Sequence, residues 1–235
     1  MERQRGRRQG ADQGRRGRTP QLQPVGHAVS GYRLALLSAF LALPLAALAG
    51  TRREVVIHGQ PFPDQIVILV DRSASMSADW DGGKIVRDNY ARAIREARWV
   101  AEQASDAGRV RFYAFNDTLA EDPQGWYALP DADKLKESIA WLRLIQPCEN
   151  TNLAGAMEHI LALPETPLGV VIITDEQPDS GPESTATDIL ALNKKRKEPA
   201  TIGVIGISPR GPEQDRFGVI VASGTGGAYV RVRER

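Results

Sequence analysis

The stretch "IVILVDRSASMSADW", residues 66–80, ends a run of five apolar residues with an aspartate and then places serines at every second position. The run at 66–70 is apolar on both faces and rich in β-branched residues, which predicts a buried strand of a parallel sheet. In open α/β sheets, ligands bind just beyond the carboxyl ends of the strands. Asp71, Ser73 and Ser75 therefore fall where a functional site is expected.

Asp71, Ser73 and Ser75 are candidate ligands of a divalent cation. Alternate residues of an extended segment project to one side, so one carboxylate and two hydroxyl groups can converge on a common point. Hard oxygen donors of this kind are the ligands that Mg²⁺ prefers. A serine-rich turn that caps the following helix would have the same composition. The string alone does not separate these two interpretations.

Strand and helix patterns alternate along the rest of the chain. Apolar residues recur every three or four positions from Val86 to Ala104, which predicts an amphipathic helix that ends at Gly108. Further helices are predicted at 131–145, 153–163, 185–197 and 213–222, and further strands at 109–115, 125–129, 169–174, 201–207 and 228–232. This order predicts an α/β fold with a doubly wound, mostly parallel sheet and helices on both faces.

The first fifty residues differ in charge from the remainder. They carry eight arginines against Glu2 and Asp12, a net charge of +6. Removing these from the 30 basic and 29 acidic residues of the chain leaves 22 and 27, a net charge of −5. A mildly acidic globular part argues against nucleic acid as its partner, because phosphate binding needs a concentrated basic face.

The chain is predicted to have three segments: a basic polar tail at 1–33, an uncharged apolar run at 34–50, and a globular domain at 51–235. A basic region, an apolar run and small residues ending at Ala49 are typical of an export signal. The run has 17 residues, near the lower limit for spanning a bilayer, so an uncleaved membrane anchor remains the alternative to cleavage near Ala49. Both alternatives place the domain outside the cytoplasmic membrane.

A second apolar strand pattern, at 169–174, also ends in an aspartate, Asp175. Parallel strands end at the same edge of a sheet, so Asp71 and Asp175 can present carboxylates side by side. Between them, Thr151 stands just before a predicted helix, where its hydroxyl group could either cap the helix or bind a ligand.

With these residues the sequence resembles the von Willebrand factor A family, which carries a metal-ion-dependent adhesion site. Its Asp-x-Ser-x-Ser motif matches Asp71, Ser73 and Ser75, its loop threonine matches Thr151, and its later aspartate matches Asp175. The resemblance implies a Rossmann-like fold that holds Mg²⁺ or Mn²⁺ at the sheet edge through these five side chains. It also implies a protein partner that contributes an aspartate or glutamate carboxylate to the metal.

The resemblance extends over roughly residues 62–233 and includes one departure. Glu176 stands where the family usually has a glycine, and its side chain could crowd the site or add a carboxylate. This departure bears on the access of a partner to the site.

Two other functions stay open at this stage: a metal-free scaffold with the same fold, and a metal-assisted hydrolase that uses Asp71. The chain lacks a nucleophile elbow, a phosphate loop and a dinucleotide fingerprint, and its three histidines form no ligand pattern. A non-enzymatic function is therefore expected. The single cysteine, Cys148, excludes an internal disulfide and paired-cysteine zinc motifs, and is interpreted as a small buried apolar residue.

Overall fold

The computed structural model describes residues 54–81, 84–104, 108–175, 178, 180–208 and 212–232. The strands are β1 (Glu54–Ile57), β2 (Gln60–Pro63), β3 (Gln65–Asp71), β4 (Ala78–Asp81), β5 (Lys84–Asp88), β6 (Arg109–Phe115), β7 (Leu119–Glu121), β8 (Tyr127–Ala128), β9 (Gly169–Thr174), β10 (Thr201–Ile207) and β11 (Tyr229–Val232). The helices are α1 (Asn89–Gln103), α2 (Ala132–Leu144), α3 (Leu153–Leu161), α4 (Pro182–Lys194) and α5 (Pro212–Thr225), with a short 3-10 helix at Ala74–Met76.

The central sheet has the strand order β11-β10-β9-β3-β6-β7. Its first five strands are parallel, whereas β7 and β8 both pair antiparallel with β6 and together form the edge. The chain begins the sheet near its middle, at β3, and builds outward in both directions. The predicted fold class, a Rossmann-like α/β fold with a mostly parallel sheet, is confirmed.

Strand β3 lies between β6 and β9 and supplies both halves of the hydrophobic core. Side chains alternate across a strand, so Ile66, Ile68 and Val70 pack on the side of α1 and α2, while Val67 and Leu69 pack on the side of α3, α4 and α5. All five side chains are fully buried. A strand buried on both faces must be apolar throughout, which explains the uninterrupted run in the sequence.

Helix starts in this fold are fixed by short polar side chains. The carboxylates of Asp88 and Asp131 and the side-chain oxygen of Asn152 each accept a hydrogen bond from a backbone N–H in the first turn of α1, α2 and α3. Helix α4 instead begins with Pro182, whose missing N–H costs nothing at that position.

The prediction for the first helix was wrong at its start. Val86 has the helical spacing but lies in β5, which pairs antiparallel with β4, and α1 begins only at Asn89. The capping carboxylate of Asp88 fixes this boundary. Helix α4 likewise begins at Pro182, three residues before its predicted start.

The short hairpins were not predicted. In the β1–β2 hairpin, His58 and Gly59 have φ angles of 49° and 78°, which a two-residue type I′ turn requires. Four-residue strands of mixed polarity leave little periodicity to detect. Strand β7 was missed for the same reason.

The predicted segments 1–33 and 34–50 lie outside the described residues. Among the helices that the structure describes, none is both long and apolar enough to cross a membrane.

Two glycines join α5 to β11. Gly226 has a φ angle of 75°, a left-handed conformation that glycine adopts without strain. A Cβ atom on Gly227 would overlap the backbone carbonyl group of Ile202 in the neighbouring strand. The close approach of β11 to β10 therefore requires glycine at this position.

We expect Gly227→Ala to lower the free energy of unfolding by about 1–3 kcal/mol, because the methyl group must displace the backbone of β10. Urea denaturation followed by circular dichroism measures this loss. Ser223→Ala, at an exposed position near the end of α5, is the control and should change the midpoint little. An unchanged midpoint in Gly227→Ala would contradict the tight β10–β11 contact.

Candidate functional site

Asp71 is the last residue of β3, and its carboxylate is held from two strands. One oxygen, Oδ1, accepts a hydrogen bond from the backbone N–H of Ser73 at 2.8 Å. The other, Oδ2, accepts one from the hydroxyl group of Thr174 at the end of β9, at 2.6 Å. The side chain is completely buried. The orientation of the carboxylate is therefore fixed by the turn that follows β3 and by the end of β9.

The pKa of Asp71 is raised from 3.8 to about 6, chiefly because burial disfavours the charged form. The hydrogen bond from Thr174 acts in the opposite direction, and repulsion from Asp175 raises the pKa further. Hydrogen bonds from Ser73 lower it again. At neutral pH the carboxylate is thus ionised in an environment that disfavours negative charge, and a bound cation would relieve that cost.

Asp175 follows β9 directly and is buried beside Asp71. The register of the two strands pairs Val70 with Ile173, so Asp71 and Thr174 come next on neighbouring strands and Asp175 lies one residue beyond. The two carboxylates are close enough for the charge of Asp175 to raise the pKa of Asp71. The structure therefore brings the two predicted aspartates to the same edge.

Ser73 and Ser75 flank the first position of the short 3-10 helix, and their hydroxyl oxygens lie 3.0 Å apart. Ser73 precedes the helix, but its side chain makes no capping hydrogen bond. The buried side chain of Met76 anchors this turn in the core. The interpretation of Ser73 as a helix cap is therefore wrong, and its hydroxyl faces Ser75 instead.

Thr151 lies in the loop 148–152, and this loop is tied to the Asp71 loop through the backbone. The N–H of Ala74 donates to the carbonyl group of Glu149, and the N–H of Cys148 donates to that of Arg72, each at 2.9 Å. The cap of α3 is Asn152, so the helix-cap interpretation of Thr151 is wrong. The side chain of Thr151 is buried at the start of this helix.

Asn116 is a buried residue of this site that the sequence reasoning missed. Its side-chain nitrogen donates to Glu149 Oε2 at 2.8 Å and to the carbonyl group of Cys148 at 3.2 Å. Its side-chain oxygen accepts a hydrogen bond from the N–H of Thr118 at 3.0 Å, and its carbonyl group accepts one from the N–H of Asn152 at 3.0 Å. Asn116 thus connects the end of β6 to the loop that carries Thr151.

A signal for Asn116 was present in the sequence. It follows the strand β6 directly, as Asp175 follows β9, and polar residues at adjacent strand ends meet at one edge.

Cys148 is exposed, so its interpretation as a buried apolar residue was wrong. Its sulfur atom accepts weak hydrogen bonds from the guanidinium group of Arg72 at 3.6 Å and from Asn116 at 3.4 Å. A second nitrogen of the Arg72 guanidinium donates to the hydroxyl group of Thr118 at 3.2 Å. Arg72 therefore joins its own loop, after β3, to Thr118 in the loop after β6 and to Cys148 in the loop 148–152.

The donor set at this edge fits a hard divalent cation. It consists of the carboxylates of two aspartates together with hydroxyl groups, all of them oxygen donors, as Mg²⁺ prefers. No group of three or more histidine, cysteine, aspartate or glutamate residues with metal-binding geometry occurs in the described part of the chain. That finding does not bear on a site with two carboxylates and hydroxyl ligands. Glu176 lies outside the described residues.

No model of a known protein family matches the sequence, and no curated protein matches it. Solved structures do match. A von Willebrand factor type A protein from Catenulispora acidiphila superposes with a TM-score of 0.55 at 13% identity, over 74% of this chain and 40% of that chain. An aerotolerance-related membrane protein from Bacteroides fragilis matches with a TM-score of 0.53 at 16% identity, over 72% of this chain and 92% of that chain.

A manganese-loaded TRAP protein from Plasmodium vivax matches with a TM-score of 0.51 at 18% identity, over 72% of this chain and 68% of that chain. At this level of identity the likenesses establish the fold. The chain has the fold of von Willebrand factor A-type domains, and its strand-end aspartates lie at the carboxyl edge of the sheet.

Proposed function

We propose that this domain is a metal-dependent protein-binding module. Its metal, Mg²⁺ or Mn²⁺, would be held by Asp71, Ser73, Ser75, Thr151 and Asp175, directly or through water. A cation with few carboxylate ligands keeps a coordination position for an outside oxygen, which an aspartate or glutamate of a partner protein can supply. The observation that carries the proposal is the burial of the Asp71 carboxyl group beside Asp175, because two adjacent buried carboxylates favour a cation.

The location proposed for the domain is outside the cytoplasmic membrane. The basic segment at 1–33 followed by the apolar segment at 34–50 supports export, with either anchoring or cleavage near Ala49. The partner would then be an extracytoplasmic or envelope protein, and nucleic acid is not expected as a ligand. We propose binding and not catalysis, because the sequence carries no nucleophile elbow, phosphate loop or dinucleotide fingerprint.

Calorimetric titration of the purified protein with Mn²⁺ and Mg²⁺ tests the proposal. We expect saturable binding that is reversed by a chelator and lost in Asp71→Asn. A partner that binds through a carboxylate should be released by the same chelator. Thermal stability and calorimetry that are both unaffected by Mn²⁺ would contradict the proposal and favour the metal-free scaffold.

Asn116 provides a further prediction for this site. We expect Asn116→Ala to weaken Mn²⁺ binding about tenfold or more, because the loop that carries Thr151 loses the side-chain hydrogen bonds from Asn116 and keeps only the backbone bond to the end of β6. The matched control is Asn193→Ala, which removes a buried asparagine whose side chain bonds both backbone groups of Ala200. Each variant should lose about 1–3 kcal/mol of stability.

Comparison of the two asparagine variants separates positioning of the metal ligands from general destabilisation. Only Asn116→Ala should change the Mn²⁺ affinity. Equal Mn²⁺ affinities in the two variants at equal loss of stability would contradict a positioning role for Asn116.

A further inference from the structure

The first described strand lies at the edge of the sheet opposite to the candidate metal centre. Strand β1 starts at Glu54, and its antiparallel register places Glu54 beside Pro63, two residues before β3 begins. Asp71 ends β3, so the start of β1 and the metal centre lie at opposite ends of the same strand, about 20 Å apart. We call the end of the sheet at which β3, β9 and β10 begin the amino edge.

The β1–β2 hairpin presents an apolar pair to solvent at the amino edge. On its inner side, Phe62 packs against Gly169 and Gly203 near the beginnings of β9 and β10, where an added Cβ atom would lie 3.1 Å and 2.8 Å from its ring. On its outer side, Val56 and Pro61 are direct partners across the hairpin and both are exposed, Val56 by 58%. Exposed apolar side chains of this kind suit contact with a membrane interface.

A run of four basic residues at 194–197 lies at the same amino edge. It joins the end of α4 to the start of β10, because the side chain of Asn193 bonds both backbone groups of Ala200, directly before β10. Its three lysines are exposed and form no hydrogen bond or ion pair with any residue that the structure describes: Lys194, Lys195 and Lys197. The lysines therefore offer three free positive charges within four residues.

Arg196, the fourth basic residue of the run, has a structural role. Its guanidinium group donates hydrogen bonds to the carbonyl groups of Leu161, Leu163 and Glu165, at the end of α3 and in the loop after it. The charge of Glu165 also acts on this guanidinium group. These contacts hold the run against the end of α3, so the three lysines project from a fixed turn.

The lysines are in local excess over acidic side chains. Residues 194–198 carry four positive charges and one negative charge, that of the half-buried Glu198, a net charge of +3. Asp64 and Asp131 also lie at the amino edge, but at β3 and beyond β6, two and three strands from β10. These separations are about 10–14 Å, so salt screens their effect on the lysines.

The position of the lysines at a helix end does not account for all of them. The carboxyl end of a helix favours positive charge only within its last turn. Helix α4 ends at Lys194, whereas Lys197 lies three residues beyond that end. A free charge at Lys197 therefore calls for an external partner.

We propose that the amino edge docks on a membrane surface that contains anionic phospholipid. This inference rests on the proposed location, with the segment 34–50 as an uncleaved anchor. Only residues 51–53 separate that segment from β1, and the chain from Gly50 to Glu54 reaches at most about 14 Å. The lysines would contact lipid phosphate groups, each strengthening the docking roughly fivefold. Docking at this edge directs the metal centre away from the membrane, toward a partner protein.

Time-resolved fluorescence anisotropy of the full-length protein in lipid nanodiscs tests this inference. A dye is attached to Cys148, the single cysteine, which is exposed at the opposite edge. A chelator is present throughout, so the result does not depend on a metal. In nanodiscs that contain phosphatidylglycerol we expect a high residual anisotropy, because the docked domain cannot rotate independently. Added salt, or phosphatidylcholine as the only lipid, should release the domain and lower this value.

The variant Lys195→Glu/Lys197→Glu should lower the ratio of docked to free domain in the anionic nanodiscs about tenfold or more. The control is Arg95→Glu/Arg143→Glu, which makes the same change in net charge at exposed positions of α1 and α2 and should leave the ratio unchanged. Val56→Ser should lower the ratio by a smaller factor, because it removes an apolar contact and no charge.

Equal residual anisotropy in the two lipid compositions, or equal effects of the two double variants, would overturn the inference. Flotation of the protein with lipid vesicles separates this failure from a failure of the proposed location. A protein that floats with both kinds of vesicle but rotates freely on both has its anchor and lacks the docking surface. A protein that floats with neither overturns the anchored location and the docking together, while Mn²⁺ titration still tests the metal proposal.

Discussion

The variant Asp71→Asn should bind Mn²⁺ at least about 100-fold more weakly than the wild-type protein, since it replaces the charged oxygen at the centre of the proposed ligand set. The substitution keeps the shape of the side chain. Its remaining oxygen can still accept the hydrogen bond from the N–H of Ser73, and its amide group can donate to the hydroxyl oxygen of Thr174. The fold should therefore persist, which makes the loss of binding attributable to the charge.

The same variant should be more stable than the wild-type protein when no metal is present. The pKa of Asp71 is raised from 3.8 to about 6 by burial and by Asp175, so ionisation of this group at pH 7 costs the folded state up to about 3 kcal/mol. The amide in Asp71→Asn carries no charge and avoids this cost. Urea denaturation in the presence of a chelator measures the difference.

The stability difference should depend on pH in a defined direction. A group with a raised pKa in the folded state contributes its full stability below the unfolded pKa, here 3.8, and loses it as pH rises through about 6. The advantage of Asp71→Asn should therefore be largest at pH 7 and vanish near pH 4. A difference that stays constant over this range would show that the buried charge is not its origin.

The sequence predicted the central strands well because their physical constraint is local. Strands β6, β9 and β10 have the predicted bounds. Strands β9 and β10 are buried almost throughout and consist of apolar residues and glycine apart from one threonine each, and β6 is apolar or aromatic from Phe112 to Phe115. Val86 shows the limit of this reasoning. It has the spacing of a helical residue, but pairing between β4 and β5 decides its conformation, and that pairing depends on another segment.

The sequence predicts the location of site residues that follow an apolar strand. It does not predict site residues whose role depends on contact with a distant part of the chain. Asp71 and Asp175 follow apolar runs that are visible in the sequence. The role of Asn116 depends on contact with Glu149, which is 33 residues away. Sequence spacing does not reveal that the loop 148–152 folds back onto the end of β6.

The variant Ile68→Asp should fail to fold. Ile68 is fully buried at the centre of β3, where its neighbours across the sheet are Phe112 on β6 and Val171 on β9. A carboxyl group there has no partner, so it must be buried either charged or protonated without its hydrogen bonds, and the apolar contacts of the isoleucine are lost as well. Together these costs exceed about 5 kcal/mol, which is comparable to the whole stability of a domain.

Circular dichroism and urea denaturation of Ile68→Asp, measured beside Ile68→Val, distinguish burial of a polar group from a simple change in packing. The valine variant removes one methylene group and should lose only about 0.5–1.5 kcal/mol while keeping a cooperative transition. A native spectrum and a cooperative transition in Ile68→Asp would contradict the central position of β3. Such a result would also undermine the candidate site, because Asp71 reaches the edge of the sheet only as the end of this strand.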